Sequence, residues 1–204
     1  MSGFGRPWAL AGGWAVDAWV GHQTREHGDV DIVVSHEDQH TLFEHLSGWN
    51  VVAHDPPVAG GGSNTDRWDG RSLTLPAHIH ARPSDTEIPD GWPVAGAPLD
   101  GRNLEVILDR REGDDWWLHD DPRVNIAADQ YIRVSPVGLP TLSPEVVLFF
   151  KATAYPADAR FPRALDERDF LALCGHLRAQ EREWLRGALT TYRPGHGWLG
   201  HIAG

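Results

Sequence analysis

The sequence predicts an α+β protein, and three observations predict it. Short apolar runs bounded by Gly, Pro and Asp fill the chain up to about residue 118. Beyond residue 140 the apolar residues recur at helical spacing instead. Strands first and helices last is the order of an α+β fold rather than of a wound parallel sheet. A length of 204 residues, 41% hydrophobic and 23% charged, is enough for one real core and ordinary for a soluble globular chain. The expected division is an α/β core over residues 1–140 and a C-terminal helical subdomain over 141–204.

The elements follow in order. Residues 8–11 are short and apolar, end at Gly12-Gly13, and read as a strand running into a turn. Residues 14–20 read as a helix stopped by Gly21. Residues 29–34, Asp-Val-Asp-Ile-Val-Val, read as a strand. A helix is expected over 36–46, with Ser35 as its N-cap and Gly48 beyond its end, and a strand over 50–53. Residues 54–70 and 83–101 are rich in loop formers, and strands are expected at 72–75, 77–81 and 104–108. Residues 115–118 are expected to fold back on the last of these as a hairpin. Helices are expected over 144–154, with Pro144 in the first turn, and over 165–176 and 178–189, with a loop at 155–164.

Composition excludes several functions. The formal net charge of −11 repels nucleic acid and anionic membrane, so neither is an expected partner, whereas a cationic small molecule would be attracted. The single cysteine, Cys174, forms no internal disulfide and lies in an apolar helical run. No signal-peptide pattern or run of transmembrane length is present, so a cytoplasmic protein is expected. The ten tryptophans are expected in the core or along a cleft.

The chemistry gathers between residues 11 and 34. Asp29 and Asp31 are two apart on a strand, so both carboxylates share a face and repel each other unless a cation lies between them. Mg²⁺ suits such a pair, because it takes oxygen ligands from one or two carboxylates together with substrate phosphates. Gly12-Gly13 lets backbone approach a ligand, and a helix starting there offers free N–H groups to an anion. Arg25 and His27 are placed to brace the turn before Asp29, and Arg25 is also within reach of a phosphate. Asp17 caps the local turn or pairs with Arg25. His78 and His80 alternate like metal ligands but have no evident third partner, which favours a structural or substrate-facing role.

The string Gly12-Gly13-Trp14-Ala15-Val16-Asp17, followed by Gly21, Thr24-Arg25, His27 and Asp29-Val30-Asp31, resembles the aminoglycoside and lincosamide nucleotidyltransferases, above all the aminoglycoside 2''-adenylyltransferases. A second stretch, Ser143-Pro144-Glu145-Val146-Val147 through Phe150-Lys151-Ala152 and on to Asp166-Glu167-Arg168-Asp169-Phe170, is similar to the same family. The family's lysine before the first of these aspartates is Leu165 here, which removes one phosphate contact. The resemblance implies a polymerase β-like nucleotidyltransferase fold, a mixed sheet with flanking helices and a C-terminal helical segment. It implies that Gly12 and Gly13 meet the nucleotide phosphates, that Asp29 and Asp31 hold Mg²⁺, that Lys151 reaches the triphosphate, and that a third acid on a neighbouring strand acts as general base, best matched by Glu105 with Asp109 as the fallback and a buried structural acid as the other reading of Glu105. A surface role for Lys151 is the alternative. The implied activity moves AMP from ATP to a hydroxyl of a small molecule such as an antibiotic. The competing expectation is a nucleotide- or partner-binding relative of weak activity, of antitoxin type.

Overall fold

The computed structural model describes residues 1–56, 64–88, 92, 101–113, 115–118, 121–154 and 164–202. Strand β1 (Trp8–Leu10) leads into helix α1 (Gly12–Val20). Strand β2 (Asp29–Ser35), a 3-10 turn (His36–Asp38), α2 (Gln39–His45) and β3 (Trp49–Asp55) follow. Then come β4 (Asn64–Arg67), β5 (Ala77–Pro83), β6 (Asn103–Glu112), β7 (Asp115–Trp117) and β8 (Asn125–Ala127). Short α3 (Ala128–Tyr131) precedes β9 (Ile132–Val134) and β10 (Pro140–Leu142). The chain closes with α4 (Pro144–Thr153), α5 (Ala164–Leu173), α6 (Ala179–Tyr192) and α7 (Leu199–Ile202). The expected α+β class is therefore observed.

Among the described residues the sheet runs β4-β3-β5-β6-β2-β1-β10-β9, and β7 continues it from β6 to β8. It is mixed: β2 runs parallel to β6 and β1 parallel to β10, while the other pairs are antiparallel. One face presents Ile32, Val34, Val106, Leu108, Ile79, Ala81, Val51 and Ala53, which form a core with Leu42 of α2, with Leu46 just past its end and with Trp68. The opposite face is covered differently along its width. Around β1 and β10 it packs Val33 with α1, α4, α5 and α6 in a second core that includes Phe149, Phe170 and Trp198. Toward β6 and β5 this face carries polar residues, among them Asp31, Glu105 and His80, which stand directly opposite one another in register. The site lies where the helical cover gives way.

Several local expectations change. Helix α1 begins at Gly12, so both glycines belong to its first turn, and it ends as expected at Gly21, whose φ is 87°. Residues 36–46 divide into a 3-10 turn and α2, and Ser35 caps that turn without a side-chain bond. No strand forms over 72–75. There the Leu73 and Thr74 N–H groups donate to the Gln39 and Asp55 side chains, and Arg71 pairs with Asp55, so side chains replace the ladder. Strand β3 extends into the expected loop and β4 lies within it, while the loop's residues 57–63 fall outside the described residues, as do 89–91, 93–100 and 155–163 of the other two. The β6–β7 hairpin forms, with a tighter turn between Glu112 and Asp115. Three tryptophans (Trp68, Trp116 and Trp198) are buried and the other seven half-buried, in keeping with a core or cleft role.

Candidate active site

Parallel pairing of β2 with β6 sets Asp31 beside Glu105, with Asp29 two residues before it on the same face. One oxygen from each of the three carboxylates lies within 4.8 Å of the others, and all three residues are half-buried. Hard oxygen donors gathered this closely and still open to solvent fit a Mg²⁺ ion that also keeps water and phosphate ligands. Asp109, the alternative third acid, is paired with Ser35. That position is four residues further along the strands, roughly 13 Å from the cluster at the usual rise per residue.

Gly12 is packed against Asp31. Gly12 has φ 58°, and a Cβ there would collide with the Asp31 carboxylate. A Cβ on Gly13 would collide with His27 and Arg25. Asp31 also accepts the Ala11 N–H through its backbone oxygen at 2.8 Å. Ala11, the N-cap of α1, makes no side-chain cap bond, and no acidic residue occupies the first turn. The electropositive end of α1 thus lies alongside Asp31, an arrangement suited to an anion.

The turn ahead of β2 is fixed by Asp17. Its carboxylate accepts from the Thr24 N–H and hydroxyl, at 2.9 and 2.6 Å, and from His27 Nε2 at 2.5 Å. His27 also packs against Trp14, ring centroids 4.6 Å apart. The expected bracing by His27 is therefore observed, but the partner of Arg25 is Asp169, not Asp17. Arg25 makes a two-pronged contact to that carboxylate at 2.8 and 2.9 Å. Lys151 reaches the same carboxylate at 2.5 Å and Asp166 at 3.6 Å, and is only 8% exposed, which rules out a snorkelling surface lysine. Burial pushes Asp169 upward, but the Arg25 hydrogen bond and the Lys151 charge outweigh it and hold the carboxyl below its ordinary range. Asp166 and Asp169 of the second sequence stretch thus anchor the two cations, and Phe170 stacks on Trp198 at 4.3 Å. Leu165 is exposed and lines an open pocket with Gln23, Thr24, Arg25, Glu26 and Arg168.

On the other flank Glu105 meets a row of imidazoles. His80 stands directly opposite it, and His78 Nδ1 donates to Oε1 at 2.9 Å. His54 contacts the His80 ring edge-on at 4.9 Å. Burial holds the His54 and His80 imidazoles below their ordinary range. Burial alone would raise Glu105, but the His78 hydrogen bond and the adjacent imidazole charges bring it below the usual carboxylate value. The His78 contact and the Asp169 anchor are the site features missed in the sequence. Only the alternating histidines hinted at the first.

Residues 1–56 match the family model described as aminoglycoside-2''-adenylyltransferase. The resemblance read in the sequence holds over that segment. It spans β1 to β3 and contains Gly12, Gly13, Asp29 and Asp31. No curated protein matches the chain. Among solved structures, the antibiotic-resistance factor ANT(2'')-Ia in solution is 19% identical, covering 91% of this chain and 82% of its own, with a TM-score of 0.49. The lincosamide antibiotic adenylyltransferase LnuA, with lincomycin bound, is 16% identical over 84% of this chain and 87% of its own, TM-score 0.49. A crystal structure of ANT(2'')-Ia with adenylyl-2''-tobramycin is 20% identical over 91% and 87%, TM-score 0.48.

Proposed function

We propose that this chain is a metal-dependent nucleotidyltransferase that moves AMP from ATP to a hydroxyl of a small molecule, an aminoglycoside or lincosamide being the first candidates. The observation that carries this reading is the group Asp29, Asp31 and Glu105, one oxygen from each within 4.8 Å, set against the glycine start of α1. The match over residues 1–56 supports it.

In this reading Asp29 and Asp31 hold Mg²⁺. When bound, the ion supplies charge neutralisation and orientation of the phosphates. The Gly12 and Gly13 backbone and the α1 N-terminus receive the phosphates, whose charge the helix end complements. Glu105 accepts the proton of the attacking hydroxyl from the open side of the sheet. The new bond joins that oxygen to the α-phosphorus, and pyrophosphate leaves. The chain's contribution is positioning and fixed charge. Arg25 and Lys151 act at the border of the nucleotide site while anchored to Asp169.

The test is transfer of label from α-labelled ATP to a panel of aminoglycosides and lincosamides, with release of pyrophosphate. Wild type labels an acceptor. Asp29→Ala, Asp31→Ala and Glu105→Gln lower the rate by at least about a hundredfold, the scale expected when a catalytic acid or metal ligand is removed. Equal rates in wild type and Asp31→Ala would overturn the reading. A second reading, a nucleotide- or partner-binding protein of weak activity, has one observation in its favour. Both cations expected near phosphate are committed to buried carboxylates. Mg²⁺-dependent ATP binding without label transfer to any acceptor would select it.

A further inference from the structure

We propose that His78 is a positioning residue for Glu105, setting the aim of the third carboxylate toward Asp29 and Asp31; this rests on the site reading above. A glutamate on a partly open strand face has three side-chain torsions to restrict, and a reacting carboxylate must be held to within about half an ångström. Repulsion from Asp29 and Asp31 would turn Glu105 away from them. The His78 contact, made from β5 on the side of β6 away from β2, limits that turn by holding one oxygen in place and fixing the rotation of the carboxylate. A carboxylate only accepts, so Nδ1 carries the proton of the 2.9 Å bond to Oε1. One oxygen is thereby tied, and the second is left for the ion or the acceptor hydroxyl.

The sheet makes this contact possible. His78 stands opposite Ile107, two residues beyond Glu105, so it reaches the carboxylate along the diagonal open to long side chains across an antiparallel pair. His80, directly opposite Glu105 and backed edge-on by His54, walls the adjoining side. His78 is 46% exposed, and the core residues of β5 (Ala77, Ile79 and Ala81) face the other way. Replacing His78 therefore leaves the packing of β5 in place.

Four proteins test this: wild type, His78→Ala, His78→Asn and Asp31→Ala, each titrated with Mn²⁺ by electron paramagnetic resonance and assayed for kcat and for the KM of ATP. Removing a hydrogen-bond partner of a site carboxylate costs about 10–100-fold in metal affinity or activity. His78→Ala is expected to lose at least about tenfold in Mn²⁺ affinity or kcat, with the KM for ATP within about twofold of wild type. His78→Asn, whose amide N–H takes the place of Nδ1–H, is expected to recover most of the loss. An unchanged His78→Ala alongside an Asp31→Ala that no longer binds Mn²⁺ overturns the role of His78 and leaves the site reading intact. Equal losses in His78→Asn and His78→Ala also overturn it. Undiminished Mn²⁺ binding in Asp31→Ala overturns the site reading and this inference together.

Discussion

At the scale of single residues, Gly12 and Asp109 make the sharpest demands. Gly12 holds a φ of 58° with the Asp31 carboxylate against its Cα, whereas Gly21 holds 87° with open space around it. An alanine at either position bears the left-handed cost of about 1–2 kcal/mol. Gly12→Ala must also displace Asp31. Urea unfolding is expected to show Gly12→Ala as the less stable of the two, and calorimetry to show that it alone loses Mg²⁺-dependent nucleotide binding. Asp109 is 4% exposed, with Arg111 3.6 Å away, and burial raises its pKa to about 6. A folded-state pKa above the unfolded value of about 3.9 means stability is full below that value and lost as pH rises through 6. The gap between the folded and unfolded values corresponds to at most about 3 kcal/mol. Asp109→Asn is expected to flatten the fall of the urea midpoint between pH 4 and 7, and equal slopes in mutant and wild type would contradict this.

At the scale of elements, one carboxylate joins three segments. Asp169 of α5 is fully buried and holds Arg25, in the link from α1 to β2, and Lys151 of α4. Asp169→Ala takes the two-pronged partner from Arg25 and the nearer of two carboxylates from Lys151, which keeps Asp166 at 3.6 Å, and is expected to cost about 3–5 kcal/mol in urea unfolding. Adding Lys151→Met, which removes one of the two cations that lost Asp169, is expected to restore part of that. This network could not be read from the sequence, since a pairing across more than a hundred residues has no local signature. Elements were legible where the signal is local. Alternating β-branched residues announced β2, Gly21 announced the end of α1, and Pro144 announced the start of α4. The three-residue strands β8, β9 and β10 are too short to show a period, so residues 119–143 beyond the hairpin gave no prediction. At the candidate site, Asp29 and Asp31 follow from strand period, and Gly12 and Gly13 from turn chemistry. That Glu105 rather than Asp109 joins them depends on the β2–β6 register, which is a tertiary fact.

At the scale of the molecule, the half-covered face and the charge of −11 act together. The helices cover one end of the face, and the acids sit at the edge of that cover, accessible to solvent. An acidic protein draws a cationic acceptor by a long-range field that salt screens over about 8–10 Å. The KM of an aminoglycoside acceptor is expected to rise several-fold between about 25 and 300 mM salt, while that of uncharged acceptors stays level. A KM independent of salt would place the acceptor's charges away from this field. The central claim is that Asp29 and Asp31 join a metal ion to a nucleotide at the start of α1. It is tested most directly by calorimetric titration of ATP, with and without Mg²⁺, into wild type and Asp31→Ala. The account predicts binding that needs Mg²⁺ and disappears in Asp31→Ala. Equal binding by the two proteins, or binding indifferent to Mg²⁺, would contradict it.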